Sequence, residues 1–351
     1  MQPEKGIFVK EISDGQLVEG LFMIREASRA ETRTGAPYLM LKVMDSSGEM
    51  AGRVWEDAER LLPLCEPGRV VRLTGQAQAY KGVMQLKVNR IAPVDTAGVD
   101  LSLFLPATGG DIDLMGKDLL KLVKSVTDPH LRELLKGFFH DRQFFEAFRQ
   151  APAAKRLHHA CIGGLLEHTL AVARLADAIA PLYPAIDRSL LMAGALLHDI
   201  GKVKEFSFEI HPFDYTDSGR LMGHLVLGVE MIQERLNRLG DFPAELAVRL
   251  KHLVLSHHGR HEFGSPALPM MTEAFVLHYL DDLDAKMNHL DRLAGEMREP
   301  GYQWSDFQRT LERFIFVKGR PQGEETEVEK TQGSQTREPE GPVRLQPSLF
   351  S

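Results

Sequence analysis

The sequence predicts a multidomain chain: a small all-β barrel, then an all-α helical bundle, then a disordered tail. Three observations carry this expectation. Up to about residue 95, short runs with partial alternation of apolar and polar residues are separated by turn-forming clusters. From Asp113 to about Val317, apolar residues recur at helical spacing. From Lys318 onward, Gly, Pro, Glu, Gln, Ser and Thr dominate, a composition that buries too little apolar surface to offset chain entropy. At 351 residues, with 43% hydrophobic and 26% charged residues, the chain has room for two ordinary globular domains.

The first domain, residues 1–95, contains five candidate strands: Leu17 to Ser28, Tyr38 to Met44, Glu49 to Trp55, Val70 to Ala79 and Val83 to Ile91. Between them lie Thr34-Gly35-Ala36-Pro37, Asp45-Ser46-Ser47-Gly48, Glu66-Pro67-Gly68 and Tyr80-Lys81-Gly82, each a turn signal. Asp57 to Leu64 has helical character. Five strands with a helix between the third and fourth is the order of an OB-fold barrel, and the segment resembles OB-type nucleic-acid-binding domains. Such folds bind single strands by stacking bases on aromatic rings and tracking phosphates with basic side chains. Phe22, Tyr38, Trp55 and Tyr80 supply rings; Arg25, Arg33, Lys42, Arg53 and Lys81 supply cations. Phe22 and Trp55 suit a barrel core equally well, and 13 basic residues face 13 acidic ones before position 96, so a weak guiding surface is expected.

Residues 96–112 read as a linker, with Thr96-Ala97-Gly98 and Leu105-Pro106-Ala107-Thr108-Gly109-Gly110 as its breakers. Leu101, Leu103, Phe104 and Leu105 within it predict that it docks on a neighbouring surface. The second domain, 113–317, opens with apolar sets at helical spacing: Leu119, Leu122, Val123 and Val126; Leu131, Leu134, Leu135 and Phe138; Phe144, Phe145 and Phe148. Asp128-Pro129 reads as an N-cap followed by proline in the first turn. Residues 318–351 form the tail.

Several classes are disfavoured. A net charge of −7 offers no global attraction to a polyanion, so any such site must be local or built on metal. The two cysteines, Cys65 and Cys161, lack metal-ligand spacing and suit a reducing cytoplasm. No apolar run approaches the roughly 20 residues that span a bilayer. Met1 to Gly6 has no basic region leading into an apolar block, so no secretory signal is expected.

The chemistry concentrates in the helical part. Leu190 to Leu197 is an apolar run that ends in His198-Asp199-Ile200-Gly201-Lys202, and a buried His-Asp pair is costly unless it is hydrogen-bonded or holds a cation. His168 opens a helix through Leu170, Val172, Leu175 and Ile179. His224 opens another through Val229 and Ile232. His257 and His258 follow an apolar segment, and Asp281 ends another with Asp282 and Asp284 close behind. Imidazole and carboxylate without thiolate suit Mn, Fe, Zn or similar ions. Helices that each donate one or two such groups inward build metal sites in bundles. Asp199 is placed to bridge two ions, with His168, His198 and Asp281 on one and His224 with His257 or His258 on the other. Two ions clamp the oxygens of an in-line displacement at phosphorus. Lys202, if the helix continues past Gly201, shares a face with His198 and offers a cation to phosphate. His159 leads into the His168 helix and is a further substrate-contact candidate; His158, His211, His252, His261, His278 and His289 read as hydrogen-bonded or surface imidazoles.

The order His, His-Asp, His, His, Asp resembles the HD-domain metal-dependent phosphohydrolases. Gly163 to Thr169, His198 to Lys202, Tyr215 to His224 and Ser256 to Gly259 look like the YhaM-type 3′→5′ exoribonucleases, a resemblance covering roughly residues 10–316. It implies an OB domain joined to an HD domain, hydrolysis of single-stranded RNA or DNA from the 3′ end, and divalent metal. Manganese is typical of that family, with Fe, Mg, Co and Zn compatible. Carried over by position, His168, His198, Asp199, His224, His257 and Asp281 are ligands, with His258 able to join the second ion. Asp199 and Lys202 are the expected catalytic groups. Relatives with a third metal carry an acid where this chain has Gly164, so no third site is expected. The resemblance also raises homo-oligomeric ring assembly. Two rival functions stay open: an HD phosphohydrolase of nucleotides or cyclic nucleotides, and a non-catalytic binding module with a structural metal. In the tail, Gln346-Pro347-Ser348-Leu349-Phe350 resembles the Gln-x-Ser/Asp-Leu-Phe peptide by which bacterial proteins bind the replication sliding clamp.

Overall fold

The computed structural model describes residues 4–32, 34–80, 83–95, 99–100, 103–105, 107–154, 161–207, 214–297 and 301–319. Arg33, Lys81, His158, His159, His211, Leu101 and the tail peptide Gln346–Phe350 lie outside them. The chain divides into two compact units, Met1–His289 and Leu290–Ser351.

The N-terminal part is a closed five-stranded barrel with strand order β1-β2-β3-β5-β4. Its strands are β1 (Leu17–Glu31), β2 (Pro37–Asp45), β3 (Gly48–Val54), β4 (Val70–Tyr80) and β5 (Val83–Pro93), with helix α1 (Ala58–Leu61) between β3 and β4. All pairings are antiparallel except β3 with β5, which closes the barrel in parallel. This is the OB fold. Alternation fills the interior with Phe22, Ile24, Leu39, Leu41, Val43, Val71, Leu73, Leu86 and Val88. Phe22 is therefore core and not a stacking ring.

One stretch breaks the alternation. Gly20 to Ile24 in β1 is buried without interruption. Its outward-facing Leu21 and Met23 are covered, together with Met44 and Val70, by Phe104 and Leu105 of the linker. The Ser46 amide donates to the Leu103 carbonyl (3.0 Å), which pins the same segment. Lys5 lies under this seam: its ammonium pairs with Asp45 at 3.0 Å and stands 4.3 and 5.7 Å from the Phe22 and Phe104 rings.

The helical part comprises α2 (Ile112–Ser125), α3 (Pro129–Phe139), α4 (Arg142–Gln150), α5 (Gly164–Ile179), α6 (Arg188–Leu197), α7 (Lys202–Glu205), α8 (Asp217–Leu239), α9 (Ala244–Ser256) and α10 (Thr272–Glu296). Aspartates cap several of them: the Asp111, Asp128, Asp141 and Asp187 carboxylates each accept from amides of the first turn. Helix α6 is the axis. Every residue from Ser189 to Gly201 is buried, and α2, α3, α5 and α9 pack against it. Among the described residues no helix is long and apolar enough to cross a membrane.

The helical pattern ends earlier than the sequence suggests. Helix α10 stops at Glu296, and Gly301–Trp304 (β8) pairs antiparallel with Phe316–Gly319 (β9) where helix was expected to continue to Val317. A two-residue pairing, Phe206–Ser207 (β6) with Asp214–Tyr215 (β7), also interrupts the helices. Strands of four and two residues are too short for a period to be read from sequence.

The linker seam yields a stability prediction. Phe104 is fully buried, so Phe104→Ala should cost about 3–5 kcal/mol. The change is read as a lower denaturant midpoint for barrel unfolding; an unchanged midpoint would show that the linker does not hold the barrel.

Candidate metal centre

The centre is assembled from helix ends. His168 begins the second turn of α5, and His198 and Asp199 follow the last turn of α6. His257 and His258 follow α9, and Asp281 and Asp284 stand one turn apart on α10. His224 requires a special device. Inside α8, Gly223 adopts φ 72° and ψ 160°, which breaks the helix immediately before the histidine. Only glycine takes that conformation cheaply. The break frees the His224 amide, and Glu205 caps it: one carboxylate oxygen accepts from both the His224 N–H and Nδ1–H, each at 3.0 Å. Gly201 permits the close approach of α7 to α8, since a Cβ there would strike the His224 carbonyl and the Gly228 amide.

Each imidazole is held by the nitrogen that faces away from the centre. His198 Nδ1–H donates to the Ala195 carbonyl (2.8 Å), His257 Nδ1–H to Val254 (2.8 Å) and His258 Nδ1–H to Phe263 (2.9 Å). His168 Nδ1–H donates to Asp284 Oδ2 (2.7 Å). These bonds set the tautomer and turn every Nε2 inward. His168 and His198 then bring their Nε2 atoms within 3.1 Å of each other, and His224 and His258 within 3.2 Å. Two inward lone pairs at such separations repel unless a cation or a shared proton lies with them.

Asp199 stands between the two groups, 2% exposed. Its Oδ2 lies 3.4 Å from His198 Nε2 and 3.6 Å from His168 Nε2; its Oδ1 lies 3.4 Å from His224 Nε2 and 3.6 Å from His257 Nε2. Asp281 Oδ1 completes the first group at 3.1 Å from His168 Nε2. Three overlapping sets could hold a cation: His168, His198 and Asp281; His224, His257 and His258; and His198, Asp199 and His257. Among the described residues, Asp199 Oδ1 is a buried oxygen with no hydrogen-bond donor. An orphaned buried carboxylate oxygen among converging imidazole nitrogens is the donor set that a divalent ion satisfies.

Lys202 occupies the other oxygen. Helix α6 ends at Leu197, a turn runs to Gly201, and α7 begins at Lys202, so the helix does not continue past Gly201 and the shared helical face does not form. The turn instead brings Lys202 Nζ to Asp199 Oδ2 at 2.6 Å. Electrostatics follow from this crowding. Burial opposes ionisation of Asp199, but Lys202 and His198 hold its carboxyl well below the usual range. Burial opposes Asp281 too, and His168 holds it far below. Burial alone would lower His168, whereas Asp281 and Asp284 push it up to about 10. At His258 burial, with the neighbouring His257 and His224, outweighs Asp199 and Asp281 and pulls the imidazole down to about 3.

Glu205 and Asp284 are the groups that the sequence left unassigned; only the spacing Asp281-x-x-Asp284 on one helical face hinted at the second. Of the histidines read as hydrogen-bonded or surface imidazoles, His252 accepts from the Met270 amide (3.0 Å), and His278 Nδ1–H donates to the His257 carbonyl (2.9 Å), so both serve structure.

On the barrel, Tyr38 and Trp55 stack with ring centroids 4.7 Å apart, and the Arg53 guanidinium lies 5.9 Å from each. Trp55 is 41% exposed and so is not core. Arg53 Nε donates to Gln85 Oε1 (3.1 Å), which orients it. Lys42 pairs with Glu49 at 2.7 Å, and Arg25 pairs with the same carboxylate, so these two cations are already engaged.

Comparison with known proteins agrees with both halves. Residues 165–286 match the HD domain family, and residues 21–94 match the OB-fold nucleic acid binding domain family. The 3′-5′ exoribonuclease YhaM of Bacillus subtilis (strain 168) is 35% identical over 315 residues, 90% of this chain and 98% of the relative. The protein of the same name from Halalkalibacterium halodurans is 35% identical over 87% of this chain and 93% of the relative. With that identity over about nine-tenths of its length, the chain belongs to the YhaM 3′-5′ exoribonuclease family.

Proposed function

We propose that the chain is a metal-dependent 3′→5′ exonuclease of single-stranded RNA, with DNA as a second substrate, working at a two-ion site. The observation that carries this reading is the position of Asp199: one carboxylate between two groups of inward-facing imidazoles, with an oxygen directed at each. His168, His198, Asp281 and Asp199 Oδ2 would hold one ion; His224, His257, His258 and Asp199 Oδ1 would hold the other. Divalent ions held there would supply the charge that polarises a phosphodiester and lowers the pKa of water. Manganese, which the family resemblance implies, is the first candidate, with Fe, Co, Zn or Mg admitted by the same nitrogen and oxygen donors.

The chain's own groups do the rest. Asp284 and Glu205 keep His168 and His224 in the tautomer whose Nε2 faces inward. Lys202 spends one N–H on Asp199 and has two more donors for a non-bridging phosphate oxygen, where it offsets developing negative charge. Tyr38 and Trp55 stack on bases and Arg53 takes a phosphate, which steadies the strand on the barrel. We further propose that Gln346–Phe350 is a clamp-binding peptide and that the enzyme works in the cytoplasm, where its RNA substrate is found.

The decisive experiment is a degradation ladder of 5′-labelled and 3′-labelled RNA and DNA with added manganese. Shortening of the 5′-labelled strand in single-nucleotide steps is expected; turnover confined to mononucleotides or cyclic nucleotides would overturn the polymer reading. Asp199→Asn should abolish hydrolysis and reduce bound metal while the protein stays folded by circular dichroism. Glu205→Gln should weaken metal binding about 10–100-fold in calorimetry and lower activity in step.

A pH dependence follows from His168. With its imidazole pushed up to about 10, the metal-free chain carries a proton there at neutral pH, and an ion must displace it. Manganese binding should therefore release about one proton per chain and tighten as pH rises from 6 to 8. Calorimetry in buffers of different ionisation enthalpy measures the release; heats independent of buffer would refute it. Deleting Gln346–Ser351 should abolish binding to the clamp in fluorescence anisotropy and leave RNA hydrolysis unchanged; undiminished clamp affinity would dispose of the peptide's role.

A further inference from the structure

The unit from Leu290 onward carries a feature that neither the barrel nor the metal centre explains. Strands β8 and β9 form a two-stranded ribbon in which Tyr302 is opposite Lys318 and Trp304 opposite Phe316. Side chains alternate between faces along a strand, and directly paired residues share a face. Tyr302, Trp304, Phe316 and Lys318 therefore stand on one side, with Gln303 and Val317 on the other. The ring-bearing side is open: Tyr302 is 66% exposed, Trp304 67% and Phe316 53%. The rings are nonetheless ordered against one another. Phe316 has its centroid 5.3 Å from Tyr302, nearly parallel at 27°, and 5.0 Å from Trp304 at 39°. A contiguous aromatic patch left in water marks a surface that something else covers.

We propose that this face of the ribbon binds single-stranded nucleic acid, with bases stacking on Trp304, Phe316 and Tyr302 and Lys318 meeting a phosphate. The inference rests on the exonuclease reading and adds a second contact for the strand besides the barrel. Two observations favour this occupant. The chain has two tryptophans, and each stands in an exposed aromatic cluster that also holds a cation. Trp55 stacks on Tyr38 beside Arg53; Trp304 packs on Phe316 beside the Tyr302–Lys318 pair. An exposed ring next to a cation takes a base and its phosphate together. Charge points the same way: from Gly301 to Gly319, Arg309, Arg313 and Lys318 outnumber Asp306 and Glu312, within a chain of net charge −7. A polyanion complements that local excess, whereas a second copy of the ribbon would repeat it.

Trp55→Phe leaves Trp304 as the sole fluorophore of its type in the full chain, which makes a direct test available. In metal-free protein, a 12-nucleotide oligouridylate should quench Trp304 emission saturably. Trp304→Ala with Phe316→Ala should weaken oligonucleotide binding roughly tenfold in anisotropy, with the sedimentation coefficient unchanged. Lys318→Glu, an exposed change that spares the fold, should weaken binding and reduce its salt dependence by about one ion. Emission unmoved by saturating oligonucleotide overturns the proposal. So does a ring variant that falls to a smaller species with undiminished affinity, which would make the face a contact between copies. Quenching without any shortening of RNA in manganese would instead uphold the ribbon and sink the exonuclease reading.

Discussion

A carboxylate buried among five imidazoles is costly, and the placement of Asp199 constrains most of the helical part. Removing an ionised carboxylate from water costs several kcal/mol unless partners return it. Lys202 returns part through Oδ2, and Oδ1 is left facing His224 and His257. The apolar run before Asp199 makes this unavoidable. Because Ser189 to Leu197 is buried on every side, the residues that end the helix are delivered into the interior rather than to the surface. Gly201 and Gly223 then let α7 and α8 close over them, one by lacking a side chain and one by its backbone conformation.

Precision at the centre comes from outside it. Three of the five histidines are oriented by backbone carbonyls one turn back or in a following turn, which are as fixed as the helices themselves. The other two depend on carboxylates, Asp284 and Glu205. The two halves of the centre consequently differ in charge. The half with His168 holds Asp281 and is backed by Asp284, and its imidazole pKa is pushed up; the half with His258 is poorer in carboxylate, and that imidazole is pulled down. Opposite shifts on chemically identical side chains show how far the surroundings, and not the residue type, set their readiness to bind a cation.

The barrel and its linker obey a different economy. From Gly20 to Ile24 strand β1 is apolar on both faces, and the barrel interior takes up only one of them; Phe104 and Leu105 cover the other. The rings left outside, Tyr38 with Trp55 and Tyr302 with Trp304, lie beside Arg53 and Lys318. At these two places exposed rings and a cation occur together, which is the combination suited to unstacked bases and their phosphates.

Much of this was legible in residue order. Alternation and turn residues specify the barrel, because a strand with one buried face must repeat every second residue. The Asp-capped apolar periodicities specify the helices, because capping and burial are local. The residues that converge at the centre were legible as candidates: His168, His198, Asp199, His224, His257, His258 and Asp281 each interrupt or end an apolar segment, where a polar group has a reason to be. The ribbon at 301–319 was not, because strands of four residues carry no period. Nor were the partners Glu205 and Asp284, since acidic residues next to a turn or along a helix are ordinary until a distant imidazole is brought against them. Whether Lys202 met a helix face or a turn, which oxygen of Asp199 it took, and that Phe22 was core while Trp55 was surface all depended on three-dimensional closure. Sequence by itself determined which segments fold and which side chains have the chemistry to hold a cation. Only tertiary structure decided which of them meet, because contacts between residues tens of positions apart are set by how helix ends converge and not by any pattern along the chain.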